Sequence, residues 1–257
     1  MCQLLGMNCN VPTDICFSFE GFCERGGNTD RHQDGWGIAF FEGKAYRSFI
    51  DTKPSSESPV AQMVKNYPIK SLNTIAHIRQ ATIGAVELSN TQPYQREAWG
   101  LNWIFAHNGD LWNYNPIIKG KFQPVGTSDS ERAFCTIMNT LAAKYPDCPP
   151  PLKQLYKELE EICAPIAEYG TLNFLLSNGQ LLFARCSTLL YYVIRQAPFN
   201  EAHLIDKDMS VDFTHLTGDN DRVAVIATQP LTNNEAWTKF EKHQLIAFKD
   251  GQPVEFD

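Results

Sequence analysis

The sequence predicts an α+β protein in which two mainly antiparallel sheets are stacked face to face, with amphipathic helices covering their outer faces. Three observations predict it. Pairs of strand-like runs are joined by tight turns, the mark of antiparallel hairpins. Single runs at 73–78, 103–107, 189–195 and 222–228 are too apolar to face water on either side and need cover on both. Two longer segments repeat apolar residues at helical spacing, so each presents one apolar stripe. Sheet on sheet with helices outside meets all three demands in one domain over 1–257. At about 150 residues per domain the length would equally allow two small ones.

In chain order, the first expected helix carries Ile15, Cys16, Phe19, Phe22 and Cys23, starts behind Thr13 and stops at Gly26-Gly27. Strands 36–41 and 45–50 flank a short turn at Gly43. Ser128-Asp129-Ser130-Glu131 reads as a capping box, followed by Phe134, Ile137, Met138, Leu141 and Ala142 on one helical face. Beyond the Pro146–Pro151 seam, Leu152, Leu155, Tyr156, Leu159, Ile162, Cys163 and Ile166 keep the helical period as far as Gly170, with Pro165 expected to kink or end the helix early. Strands 171–177 and 180–186 flank Asn178-Gly179. Strands 244–248 and 253–256 flank a turn containing Asp250-Gly251.

Apolar residues make 43% of the chain and charged ones 20%, which excludes a disordered, collagen-like or coiled-coil protein. Twenty-two basic against twenty-nine acidic side chains leave a net charge of −7, so neither nucleic acid nor an anionic bilayer is expected as a general partner. No eighteen apolar residues run together, and residues 1–17 lack the cationic lead and apolar block of a secretory signal; a cytoplasmic protein with no membrane span is expected. The eight cysteines are scattered and read as reduced thiols. Cys2, Cys9, Cys16 and Cys23 recur every seven residues, but without any Cys-x-x-Cys or His-Glu-x-x-His, so a thiol-redox or metal protein is the weakest reading and no metal is expected. Neither Gly-x-Gly-x-x-Gly nor a Walker-type loop occurs, and no cofactor is expected.

The informative position is Cys2. A small residue after the initiator methionine permits removal of Met1, which leaves a thiol and a free α-amine on one residue. An α-amine titrates at about 7.7–8.0 rather than the 10.4 or so of lysine, so a neutral fraction can accept the thiol proton, through a water. Nucleophile and base then need no histidine.

Around it stand Arg25-Gly26-Gly27, His32, Asp34-Gly35-Trp36-Gly37, Ala76-His77-Ile78-Arg79-Gln80-Ala81-Thr82, Phe105-Ala106-His107-Asn108-Gly109 and Ser128-Asp129-Ser130-Glu131. In order and spacing this pattern resembles the class II, N-terminal-cysteine glutamine amidotransferases from Cys2 to about Ala142. The ending, with Ala227-Thr228-Gln229-Pro230-Leu231 and Asn234-Glu235-Ala236-Trp237, is similar to their short stand-alone branch. The resemblance implies the αββα four-layer sandwich of N-terminal-nucleophile hydrolases, with Cys2 at a strand end in the opening between the sheets. It also implies the roles. Cys2 matches the nucleophile that forms a γ-glutamyl thioester, Asn108 and Gly109 the oxyanion hole, Arg79 the clamp on the substrate α-carboxylate, and Asp129 the partner of its ammonium. Thr82 matches a residue lining the glutamine pocket, and Arg25 and Asp34 match residues standing behind the amino terminus.

Each residue has a plainer reading as well. Arg79 closes an apolar strand and would pass for a surface arginine, Asn108-Gly109 for a hairpin turn, and Asp129 for a carboxylate at a helix start. His77 and His107 are expected to pack or hydrogen-bond in the sheet, and His32 to shape the entrance. Multidomain relatives commonly carry tryptophan after the arginine and histidine after the threonine; here these are Gln80 and Ile83. Nothing after residue 150 resembles an ammonia-consuming domain, so a separate ammonia-accepting protein is expected beside glutamine or another γ-glutamyl small molecule as substrate. Two alternatives remain open at this point: hydrolysis of γ-glutamyl peptides of the glutathione type, and a non-catalytic glutamine-binding or regulatory protein.

Overall fold

The computed structural model describes residues 2–82 and 84–256. In chain order its elements are β1 (Gln3–Thr13), α1 (Cys16–Glu24), β2 (Trp36–Glu42), β3 (Ala45–Asp51), α2 (Pro59–Asn66), β4 (Ser71–Ile78), β5 (Tyr94–Ala98) and β6 (Leu101–Asn108). Helices α3 (Asp129–Lys144) and α4 (Leu152–Ala167) follow, then β7 (Asn173–Ser177), β8 (Leu182–Arg185), β9 (Tyr191–Gln196), β10 (Glu201–His203), β11 (Ser210–Asp212), β12 (Arg222–Ala227), β13 (Thr238–Lys239), β14 (Leu245–Lys249) and β15 (Gln252–Pro253).

Two antiparallel sheets carry the fold. The first runs β13-β9-β12-β1-β4-β2-β3 and the second β15-β14-β8-β7-β6-β5. Leu4, Ala39, Ile75, Ile104, Leu175 and Ile226 pack between them. The outer face of the first sheet buries Leu5, Ile38 and Val225 against Phe19, Phe22 and Ala61 of α1 and α2. That of the second buries Phe105 and Phe174 against Phe134, Ile137 and Leu159 of α3 and α4. The layers are therefore α, β, β, α, as the resemblance implies. Gly6 lets the sheets approach: a Cβ there would lie 3.0 Å from a Leu175 methyl of the facing sheet.

Elements differ from the sequence reading where local signals were weak or ambiguous. Helix α4 continues through Pro165 to Ala167, because the proline falls in the last turn and is exposed, leaving the carbonyl it frees accessible to water. The seven-residue cysteine spacing is split between β1 and α1, with Cys9 on the strand and Cys16 and Cys23 on the helix. Strand β1 itself has no period-2 signature, since Gln3 to Cys9 are buried on both faces.

Candidate active site

Cys2 lies just before β1, at the middle of the first sheet. The β1–β4 register, Gln3 opposite Ile78, sets Cys2 across from Arg79. The thiol is held by one peptide group: Gln80 N–H donates to Sγ at 3.3 Å, and Sγ lies 3.5 Å from the Gln80 carbonyl. Burial pushes the thiol up to about 11; the Gln80 N–H and the Arg79 charge pull the other way, while the Asp110 carboxylate adds to the rise. A resting thiol this weakly acidic is protonated at neutral pH, so attack needs a base at the moment of reaction.

The segment that follows β4 is fixed from both ends. Arg79 N–H donates to Gly35 O at 2.8 Å, Asp34 N–H to Arg79 O at 3.2 Å, and Ala81 N–H to Asp34 Oδ2 at 2.7 Å. Asp34 therefore braces the peptide that holds the thiol. The Arg79 side chain is buried, and its Nη1 and Nη2 donate to the Ala85 and Gly84 carbonyls at 2.8 and 3.1 Å, so it is no surface arginine. Thr82 is exposed and donates its hydroxyl to Asp110 Oδ1, joining this loop to the one that follows β6. Ile83 lies outside the described residues, as does Met1.

Asn108 ends β6 opposite Asn173 of β7, and the chain then leaves the sheet instead of turning back. The hairpin reading of Asn108-Gly109 is thereby excluded. Asn173 Nδ2 donates to the Asn108 carbonyl at 2.9 Å, and its Oδ1 accepts Ser187 and Thr188 N–H at 2.7 and 3.0 Å, which locks the strand end. Gly109 is required here: a Cβ would lie 1.9 Å from the Thr171 carbonyl oxygen. Asn108 Nδ2 stands 3.2 Å from Thr228 Oγ1, while among the described residues its buried Oδ1 has no partner. Asp129, the first residue of α3, accepts Leu111 N–H and Ser130 N–H at 2.8 Å each, so one carboxylate ties the helix start to the loop after Gly109.

His107 and His77 are buried, as expected of sheet residues. His107 Nε2 faces the Thr171 carbonyl at 2.9 Å and therefore carries the proton, leaving Nδ1 to accept from Ser130 Oγ at 2.8 Å. His77 lies on β4 across from Leu4, and its ring nitrogens have no hydrogen-bond partner among the described residues. His32 is buried beside Asp30, with Nδ1 3.1 Å from the carboxylate. Arg25 makes an ion pair with Asp206 at 2.8 Å and donates to the Gln229 and Pro230 carbonyls at 3.1 and 2.6 Å, one and two residues beyond Thr228. Its link to the amino terminus runs through that segment, since Thr228 N–H donates to Leu4 O at 3.1 Å and Thr228 Oγ1 accepts Leu4 N–H at 2.9 Å.

The structure joins these residues through short links: Cys2 to the Arg79-Gln80 segment, Thr82 to Asp110 beside Gly109, Asn108 through Thr228 to Leu4 two residues after Cys2, and Asp129 to Leu111 of the loop after Gly109, with Asp34 behind the Arg79–Ala81 backbone and Arg25 behind the segment after Thr228. Two residues at the same place escaped the sequence reading. Asp110 adjoins a motif already quoted, and its carboxylate meets the Thr82 hydroxyl. Thr228 stands in the Ala227–Leu231 run quoted for the resemblance, but nothing in that run marked it for a role at the site.

The model of a family described as the class-II glutamine amidotransferases matches residues 1–257. The chain is 51% identical over 254 residues to YafJ of Escherichia coli (strain K12), covering 99% of this chain and 100% of that one. It is 50% identical over 254 residues to a protein of Haemophilus influenzae (strain ATCC 51907 / DSM 11121 / KW20 / Rd), covering 99% and 86%. Both relatives are provisionally named glutamine amidotransferases. Among solved structures, a predicted glutamine amidotransferase from Pseudomonas aeruginosa PA01 superposes with a TM-score of 0.79 at 40% identity, covering 99% and 100% of the two chains. A glutamine phosphoribosylpyrophosphate amidotransferase from B. subtilis shares the fold at a TM-score of 0.62 and 17% identity, over 98% of this chain and 48% of that one.

Proposed function

This chain belongs to the class-II glutamine amidotransferases, enzymes that hydrolyse a γ-glutamyl amide through an N-terminal nucleophile, and from that membership we propose that Cys2 is the nucleophile and that residues 1–257 form one catalytic unit. The observation that carries the proposal is the placing of Cys2 across from Arg79, with its sulfur on the Gln80 peptide and its strand tied through Leu4 and Thr228 to Asn108 of the facing sheet.

The reaction follows from this arrangement. Removal of Met1 frees the Cys2 α-amine, which takes the thiol proton through a water as sulfur attacks the side-chain amide carbon. The Arg79 fork holds the substrate α-carboxylate and Asp129 its ammonium, which sets the amide at the sulfur. Negative charge on the amide oxygen is met by Asn108 Nδ2 and Gly109 N–H. The tetrahedral adduct collapses as the α-ammonium returns its proton to the departing nitrogen, releasing ammonia and leaving a thioester. Water, deprotonated by the same amine, then frees glutamate and the thiol.

Residues 151–256 supply α4, strands of the same two sheets and the small β10-β11 sheet, and we place the ammonia-consuming step outside these residues. Among the described residues no helix is long and apolar enough to cross a membrane.

An electrophilic glutamine analogue should label Cys2 alone, and Cys2→Ala should be inert towards glutamine. Labelling at any of the other seven cysteines would remove the assignment. Measuring ammonia release from glutamine beside glutamate release from γ-glutamyl peptides places the leaving group. A faster rate on the peptides would move the substrate, without moving the nucleophile.

A further inference from the structure

We infer that Thr228 is a positioning residue of the hydrolysis, its hydroxyl fixing which end of the Asn108 amide faces the reacting carbonyl; this rests on the reading of Asn108 given above. The two ends of an asparagine amide are told apart by their partners, and here the partners decide. Thr228 Oγ1 already accepts the Leu4 N–H at 2.9 Å. Its hydroxyl proton needs an acceptor, and the neighbouring end of the Asn108 amide is 3.2 Å away. With nitrogen at that end, the amide oxygen is left buried with no partner among the described residues. With oxygen there, Thr228 O–H donates to Oδ1, both groups are satisfied, and the NH2 turns to the other side.

The NH2 is then the end left for the reacting carbonyl. Ile104 and Ala106 of β6 face the gap between the sheets, so Asn108 faces it too; Leu4 of β1 does likewise, and Cys2 with it. Thr228 is thus bound to the nucleophile's strand by two hydrogen bonds, through Leu4 N and Leu4 O, and to the oxyanion amide of the opposite sheet by a third. Its side chain is buried, so water does not compete for these bonds.

The test compares Thr228→Val, which keeps the shape and loses the hydroxyl, with Thr228→Ser, which keeps the hydroxyl. Thr228→Val should lower kcat for glutamine on the order of a hundredfold with KM changed less than about twofold, since an oxyanion donor acts in the transition state alone. Thr228→Ser should recover most of kcat. Alkylation of Cys2 by iodoacetamide forms no oxyanion and should proceed at the same rate in all three proteins. In an Asn108→Ala background, Thr228→Val should cost nothing further. Thr228→Ala, which leaves space instead of a methyl, gives the same reading if the valine variant does not fold. Wild-type kcat in the valine or alanine variant, an additive effect with Asn108→Ala, or a parallel loss of iodoacetamide reactivity would each overturn the inference. Failure of the wild-type protein to cleave glutamine or any γ-glutamyl amide would instead strike the Cys2 reading from which it starts.

Discussion

Arg79 shows how one side chain is given a direction before any substrate arrives. Two of its nitrogens are spent on the Gly84 and Ala85 carbonyls, and its own backbone is tied to Gly35 and Asp34, so the planar fork is presented in one orientation. A lysine could supply the charge but not both carbonyl contacts and a bidentate hold on a carboxylate. Arg79→Lys should therefore raise KM for glutamine by roughly tenfold to a hundredfold, the loss of one charge-assisted hydrogen bond of about 1.5–3 kcal/mol. An unchanged KM would place the carboxylate clamp elsewhere. Gly109 is a sharper case, because its neighbour is backbone: a Cβ at 1.9 Å from Thr171 O and 2.7 Å from Thr171 C cannot be relieved by a rotamer change. Gly109→Ala should displace the strand end and abolish turnover, with a stability loss of about 1–3 kcal/mol; wild-type kcat in that variant would show that the Asn108-Gly109 corner is not part of the reaction. At this scale the site was legible where residues form runs, as in Arg79 to Thr82 and His107 to Gly109. Thr228 was not, because its meaning comes from a contact with Leu4 across 224 positions.

The start of α3 shows the same economy in an element. Ser128 caps it as its motif predicts, accepting Glu131 N–H, yet Glu131 does not complete a reciprocal box. Its carboxylate turns to Arg96 at 2.6 Å and to the Val125 and Gly126 N–H groups at 3.0 and 2.7 Å, while Asn90 Oδ1 accepts Thr127 and Ser128 N–H. The turn that carries Asp129 is therefore held from β5, from the loop before it and from the 88–90 segment. Glu131→Gln would leave the half-buried Arg96 charge unmatched, which costs about 3 kcal/mol and should lower Tm by roughly 6–12 °C. The double variant Arg96→Met, Glu131→Gln should recover part of that loss, because no charge is then stranded. A single variant that melts with the wild type would show that the ion pair is not holding the turn. Among elements, those with strong local punctuation were readable: the Asn178-Gly179 turn has Gly179 at φ 89°, and Asp250 and Gly251 at 53° and 76° form the tight turn that the hairpin pattern requires. Helix α2 was missed although Ser58-Pro59 is a proper start, because eight residues hold too few apolar positions to show a period. Strand β5, Tyr-Gln-Arg-Glu-Ala, reads as polar because it lies at a sheet edge.

At the scale of the whole molecule, the sandwich buries two histidines in neutral form, and this gives it a pH dependence of predictable sign. Burial holds His77 down to about 3 from an ordinary 6.5, with the nearby Arg79 charge acting in the same direction. His107 is likewise lowered by burial, against the opposing pull of Asp129, the Thr171 carbonyl and Asp110 and with the support of Arg185. In the unfolded chain both rings take up a proton as pH falls through 6.5, while in the folded protein they do so only at lower pH, so the unfolded state binds more protons and acid favours it. Stability is fully present above 6.5 and falls as pH drops from there towards 3. His77 contributes a slope of up to about 1.4 kcal/mol per pH unit between the two values, and His107 acts in the same direction. Glu235 adds to this at lower pH: burial alone would raise its carboxyl, but the hydrogen-bonded Arg195 fork outweighs it and holds the group below 4.5, so its share is lost only as pH falls through that lower range. Denaturant unfolding at pH 7.5, 6.5, 5.5 and 5.0 should give midpoints that are nearly level at the upper end and fall progressively below 6.5. His77→Phe, which fills the apolar gap between the sheets without a titrating ring, should reduce the low-pH slope by up to about 1.4 kcal/mol per unit. Midpoints that do not move between 7.5 and 5.0, or a slope unaltered in the His77→Phe variant, would mean that the proton taken up on unfolding belongs to other groups.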